Sequence, residues 1–252
     1  MTLSTPALLI EGSSNTAAAA YTTASVTPAA DERVVLFVAS SKSSAGALCP
    51  TGVTHGAMGA LTKICDQAIG NTNVWLSAWT GVGTGTAGTF VVTHASAMGN
   101  CLWQGVTVAS DLGTAIIWQS AVAAAVTAGT QGATLAATPD AAACVLAAYG
   151  YNNIAAGQTA GSGYTLIGSR LTGSSPAVSM QSEYDATTPP AYASFGFSNS
   201  SGKAIAAIEV RDPAAAAAAW SLWDGTTEEP LTLDGTWDGT TIQTLDYDTV
   251  TT

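Results

Sequence analysis

The sequence predicts an all-β protein: an antiparallel, jelly-roll-like β-sandwich with a short C-terminal β-hairpin appendage. Three observations predict it. Short segments rich in Val, Ile, Thr and aromatic residues recur along the chain. Gly, Ser, Asn and Pro punctuate them. Helical periodicity is almost absent, with His55–Ile69 the one stretch whose Met58, Leu61, Ile64, Cys65 and Ile69 fit a short amphipathic helix.

Residues 1–19 read as an N-terminal arm of Thr, Ser, Pro and Ala. Its apolar patch, Ala7-Leu8-Leu9-Ile10, either docks on a neighbouring molecule or forms a first strand. The body covers residues 20–211. Tyr21–Thr27 opens it, and Arg33–Ala39 is a continuous apolar run, as a strand covered on both faces requires. Asn73–Thr80 alternates around Trp75 and Trp79. Strands follow at Thr89–His94, Cys101–Val108, Thr114–Trp118, Ala121–Ala128, Ala143–Tyr149, Ala177–Tyr184, Ala191–Phe197 and Lys203–Val210. Pro213 cannot donate to a ladder and ends the body. Residues 212–219 form an Ala-rich linker. Residues 220–252 are acidic and repeat a unit, Trp223-Asp224-Gly225-Thr226-Thr227 recurring at Trp237-Asp238-Gly239-Thr240-Thr241. Asp-Gly steps suit tight hairpin turns.

Composition limits the function. Charged residues make up 9% of the 252, and the net charge is −11, against about 25% charged in ordinary soluble domains. With so few charges to disperse it, much of the surface is expected to meet neighbouring subunits. The bases do not cluster, so nucleic acid is not an expected partner. No apolar run is long enough to span a membrane as a helix, and Met1–Ala20 lacks a basic n-region. Cys49, Cys65, Cys101 and Cys144 read as buried thiols, with a Cys49–Cys65 disulfide left open. His55 and His94 are not spaced as zinc ligands, and no metal or cofactor is expected.

The chemical motifs are weak. Gly83–Gly88 matches GxGxxG, but a strand follows it and not a helix, so it reads as a turn. No GxSxG elbow accompanies the abundant serines. Glu183 and Asp185 flank Tyr184 on one strand and are the single carboxylate pair suited to glycan hydrolysis. The C-terminal acids Asp224, Glu228, Glu229, Asp234, Asp238, Asp246 and Asp248 do not match an EF-hand loop.

From Tyr21 to Arg211 the chain resembles virion structural proteins of tailed bacteriophages. The resemblance rests on TTASVTPAADERVVLFVAS, GTGTAGTFVVTHAS and GKAIAAIEVR, and on the LWDGTT…TWDGTT repeat, which is similar to hairpin units at the ends of phage tail and surface proteins. It implies jelly-roll sandwiches, frequent trimers and no catalysis. The expectation is a non-enzymatic capsid decoration (cement) protein on the outer surface of the head. It would bind the major capsid protein and copies of itself as a homotrimer, with Leu8, Leu9, Ile10, Trp220, Trp223 and Trp237 as candidate interface residues. The alternatives are a tail or fibre protein binding host glycan through Trp223 and Trp237, and a glycan-active hydrolase using Glu183 and Asp185.

Overall fold

The computed structural model describes residues 3–42, 46–69, 74–152, 160–172, 178–197 and 200–213, and the backbone of 221–223 and 228–230. Two compact units are present, Met1–Ala216 and Ala217–Thr252. Every regular element within the described residues of the first unit is a β-strand, apart from the helical conformation of Pro213, and the sheets are antiparallel and packed as a sandwich.

The N-terminal strands are β1 (Ala7–Ser14), β2 (Ala18–Val26), β3 (Arg33–Ser41), β4 (Gly52–His55), β5 (Gly59–Ala60), β6 (Thr62–Ala68), β7 (Val74–Val82), β8 (Gly88–Met98) and β9 (Asn100–Val108). They form a five-stranded sheet, β1-β9-β3-β7-β6, and a four-stranded sheet, β2-β8-β4-β5. Then come β10 (Ile116–Ala125), β11 (Gly129–Thr134), β12 (Cys144–Tyr151), β13 (Thr165–Thr172), β14 (Val178–Asp185), β15 (Tyr192–Phe197) and β16 (Lys203–Arg211). These make a second five-stranded sheet, β10-β16-β12-β14-β13, and a pair, β11-β15.

The two halves repeat one topology. Substituting β10, β11, β12, β13, β14, β15 and β16 for β1, β2, β3, β6, β7, β8 and β9 converts the first strand order into the second. Residues 153–159, between β12 and β13, lie outside the described residues. Residue-level features repeat as well. Thr27-Pro28 leads into β3 and Thr138-Pro139 into β12 at the same spacing. The β6–β7 ladder bulges at Ile64, between the pairs Lys63↔Trp79 and Cys65↔Ala78. The β13–β14 ladder bulges at Ile167, between Leu166↔Glu183 and Gly168↔Ser182. Both isoleucines lean on the same central core.

The five-stranded sheets face each other, giving a stack of four sheets with three hydrophobic layers. The central layer joins Val35, Phe37, Leu76 and Val106 of the first half to Leu146, Met180, Ala206 and Ile208 of the second. A second layer lies inside the first half, around Leu36, Trp79, Phe90, Val92 and Trp103. The third lies inside the second half, where Tyr149 meets Phe195 and Phe197 edge-on, with centroids 4.9 and 5.0 Å apart. β1 lies over β13 while its counterpart β10 lies over β6, so an approximate two-fold axis relates the halves. Because β3, β9, β12 and β16 are covered on both faces, their residues are buried in succession without in–out alternation.

Several expectations are corrected here. The segment 1–19 is not a free arm: β1 pairs with β9 from Ala7↔Thr107 to Ser14↔Cys101. Ile10 is buried in the first half's core and Leu9 packs against it, while Leu8 is 41% exposed. His55–Ile69 is not helical but a β4–β5 hairpin running into β6. Its apolar spacing mimics a helix because a turn and the Ile64 bulge interrupt the two-residue period. The segments 114–118 and 121–128 merge into β10, bulged between Ile117 and Gln119. All four cysteines are free thiols.

The second unit contains one described ladder, β17 (Ser221–Trp223) against β18 (Glu228–Pro230). Trp223, which opens the first Trp-Asp-Gly-Thr-Thr unit, pairs with Glu228. Trp220, Trp237, most of the 212–219 linker and the second repeat lie outside the described residues.

Candidate functional site

The densest set of buried polar groups sits on β14. Side chains alternate along a strand, so Ser179, Gln181, Glu183 and Asp185 share a face. That face lies with Tyr149, Ala147 and Val145, their partners on β12, toward the third hydrophobic layer. All four polar residues are buried, and Glu183 is 0% exposed. The same positions of β7 hold Ser77 and Trp79, whose indole donates to the Ser77 hydroxyl at 2.9 Å. One half thus fills the space with a ring, the other with a carboxyl group.

A tight turn over Gly161–Tyr164 covers this face, closed by the Tyr164 N–H on the Gly161 carbonyl at 3.0 Å. The Gly161 N–H donates to Glu183 Oε2 at 2.9 Å. Glycine is required at 161 by close approach: a Cβ there would lie 2.0 Å from the Ser194 carbonyl oxygen and 3.3 Å from Glu183 Oε1. Gly163 adopts φ +86°, a left-handed conformation suited to glycine. Asp185 Oδ1 accepts from the Thr187 N–H at 2.9 Å and the Thr188 N–H at 3.2 Å. The Tyr149 hydroxyl approaches Gln181 Oε1 at 3.4 Å. Glu183 Oε1, Gln181 Nε2 and the Tyr164 hydroxyl have no hydrogen-bond partner among the described residues. Burial pushes the Glu183 carboxyl up to about 8, and the Gly161 N–H opposes this more weakly. Burial, then the Glu183 and Asp185 charges, push Tyr164 up as well.

The other nominated residues have structural surroundings. His94 accepts or donates a 2.7 Å hydrogen bond with Ser40 in the first half's core. It sits edge-on to Tyr21, 5.8 Å between centroids. Burial pulls His94 down to about 4. This serine–histidine pair has the contact a nucleophile needs, but Ser40 is 0% and His94 3% exposed, so no substrate reaches it in this conformation. His55 Nδ1 accepts from the Ala57 and Met58 N–H groups at 3.3 and 3.4 Å, fastening its own hairpin turn. The Gly83–Gly88 loop bonds to the 28–32 loop through Gly83 and Gly85 and connects two strands, as a turn should. Glu209 is fully buried and accepts from Arg211 Nε at 2.7 Å, Gln119 Nε2 at 2.5 Å and the Asp140 N–H at 3.0 Å. The Arg211 guanidinium also covers the Trp118 ring, 4.2 Å from its centroid.

Lys203 was not singled out from sequence, yet it is fully buried. Its amine donates to the Thr127 and Ser201 carbonyls at 2.7 Å each and faces the Phe197 and Tyr151 rings at 4.9 and 5.3 Å. The Glu183–Asp185 pairing on one face was legible from their spacing. Tyr149, Tyr164 and Gly161 were not, because they arrive from distant parts of the chain. Among the described residues no group of three or more His, Cys, Asp or Glu is placed to hold a metal ion.

Compared with family models, with curated proteins and with solved structures, the chain matches none.

Proposed function

We propose that this chain is a structural protein of a tailed-phage particle, a decoration protein that binds the outer face of the head. It would brace major capsid subunits and associate with copies of itself as a homotrimer. The observation that supports this reading is the surface chemistry of the body. Lys203 and Arg211 are buried and Arg33 is half-buried, so few of the six bases reach solvent. Exposed apolar side chains gather on the outermost strands of the inner sheets: Leu8 on β1, Trp118 and Val122 on β10, Leu166 and Leu171 on β13. Isolated proteins protect such edges with lysines, prolines or bulges. The edge strands β1, β10 and β13 are bulged, yet they still present exposed Val, Leu and Trp side chains, a composition suited to contact with neighbouring subunits. With β1 built into the sandwich, contact would run through Leu8 on a fixed edge and not through a released arm.

The test is co-sedimentation of the purified chain with expanded, undecorated phage capsids, beside tail preparations. The reading requires saturable binding to capsids at a fixed ratio to the shell protein, weakened by Leu8→Glu or Val122→Glu. Binding to tails alone would support glycan recognition and direct attention to Trp223 and Trp237. Binding to neither would refute the particle assignment.

A further inference from the structure

We propose that the Gly161–Tyr164 turn is a pH-operated latch, closed over β14 while Glu183 carries a proton and loosened when it ionises. The geometry of the carboxyl group is the reason. It is completely buried, one oxygen holds the turn through the Gly161 N–H, and the other has no partner among the described residues. An ionised carboxylate in that position lacks a compensating cation, which makes the charged form unfavourable. The groups around it do not help. Asp185 on the same strand is a second acid, Gln181 is neutral, Tyr149 of β12 and Tyr164 of the turn are phenols, and β15 presents the Ser194 carbonyl. Residues 153–159 carry no ionisable side chain. Five of the six bases are engaged elsewhere: Lys63 with Asp66, Arg170 with Glu11, Arg211 with Glu209, and Arg33 and Lys203 on backbone carbonyls; the sixth, Lys42, directly follows β3 in the first half.

Opening the turn hydrates Glu183 and returns it to ordinary carboxylic acidity, so the proton is bound more tightly in the closed form. Closure is therefore strongest below the usual Glu value of 4.5 and weakens as pH rises toward about 8. The first half has no such device, because Trp79 occupies the equivalent place and does not titrate.

Hydrogen exchange of the full chain tests this, read as protection factors so that the intrinsic pH dependence of exchange is removed. Between pH 5 and pH 8 the Gly161 and Tyr164 amides should lose at least about tenfold in protection, since each pH unit inside the window changes closure by up to about tenfold. Amides of Val145 and Ala147, in the middle of the same sheet, should change much less. Glu183→Gln, and Glu183→Met as a second non-ionising variant of similar length, should abolish the loss, and Asp185→Asn should retain it. A flat wild-type profile overturns the proposal. So does a loss that persists in either folded Glu183 variant, or one that tracks Asp185 instead.

Discussion

Replacing Leu146 with Ala should destabilise the first half of the molecule as much as the second, although Leu146 lies on β12 in the second. Its side chain is fully buried in the central layer, with Val35, Phe37, Leu76 and Val106 of the opposite half. Three carbons leave the core, worth about 2.4 kcal/mol at roughly 0.8 kcal/mol per buried CH₂. The cavity left between two five-stranded sheets adds to that, within the roughly 2–5 kcal/mol span of such truncations. We expect about 3 kcal/mol. With a urea dependence of about 3 kcal/mol per molar, at the upper end for small proteins, the midpoint falls by about 1 M. The assay is urea denaturation followed by tryptophan emission and by far-ultraviolet circular dichroism. Trp79 and Trp103 are buried in the first half and report on it, whereas Trp118 is already 43% exposed. If the central layer makes the halves one cooperative unit, both signals shift together and stay superimposable. A tryptophan transition that stays in place while the dichroism splits into two steps would refute the shared core.

Three further outcomes follow from the buried polar groups. Arg211→Ala leaves the Glu209 carboxylate buried without its cation and should cost about 3–5 kcal/mol in thermal unfolding, whereas the double change Glu209→Gln, Arg211→Met should cost far less. His94 is held neutral, its value lowered from 6.5 to about 4. Its contribution is thus complete above pH 6.5 and is lost as pH falls through 4, by up to about 3 kcal/mol. His94→Gln should flatten this acid limb, and an unchanged limb would contradict the assignment. The limb runs opposite to the effect of Glu183, so the two variants separate them. Burial pushes the Cys49, Cys65 and Cys101 thiols up to about 12 and Cys144 higher still. A thiol-specific disulfide reagent at pH 8 should therefore label native protein slowly and all four cysteines rapidly in urea; fast native labelling of Cys101 or Cys144 would show that the core opens.

Local chemistry decided the strands. Arg33–Ala39 is legible as a central strand because burial on both faces demands an unbroken apolar run; Cys101–Val108 and Lys203–Val210 are legible as strands, and the structure extends each of the three by no more than two residues. The all-β class follows from the same runs and their Gly, Ser and Pro breaks. Strand β1 was ambiguous because a short apolar patch fits a docking arm as well as an edge, and pairing with β9 resolves it. The internal repeat escaped the sequence because topology constrains only which positions are apolar: Val38 answers to Tyr149 and Trp79 to Glu183 while the ladders stay in register. Only the tertiary structure decided which polar residues lost their water. Glu183, His94 and Lys203 look like ordinary surface positions in a linear reading. They become buried because a second sheet, or a turn from a distant part of the chain, closes over their strand. Their altered acidity is a consequence of that closure, since desolvation depends on everything packed above a side chain and not on its neighbours in sequence.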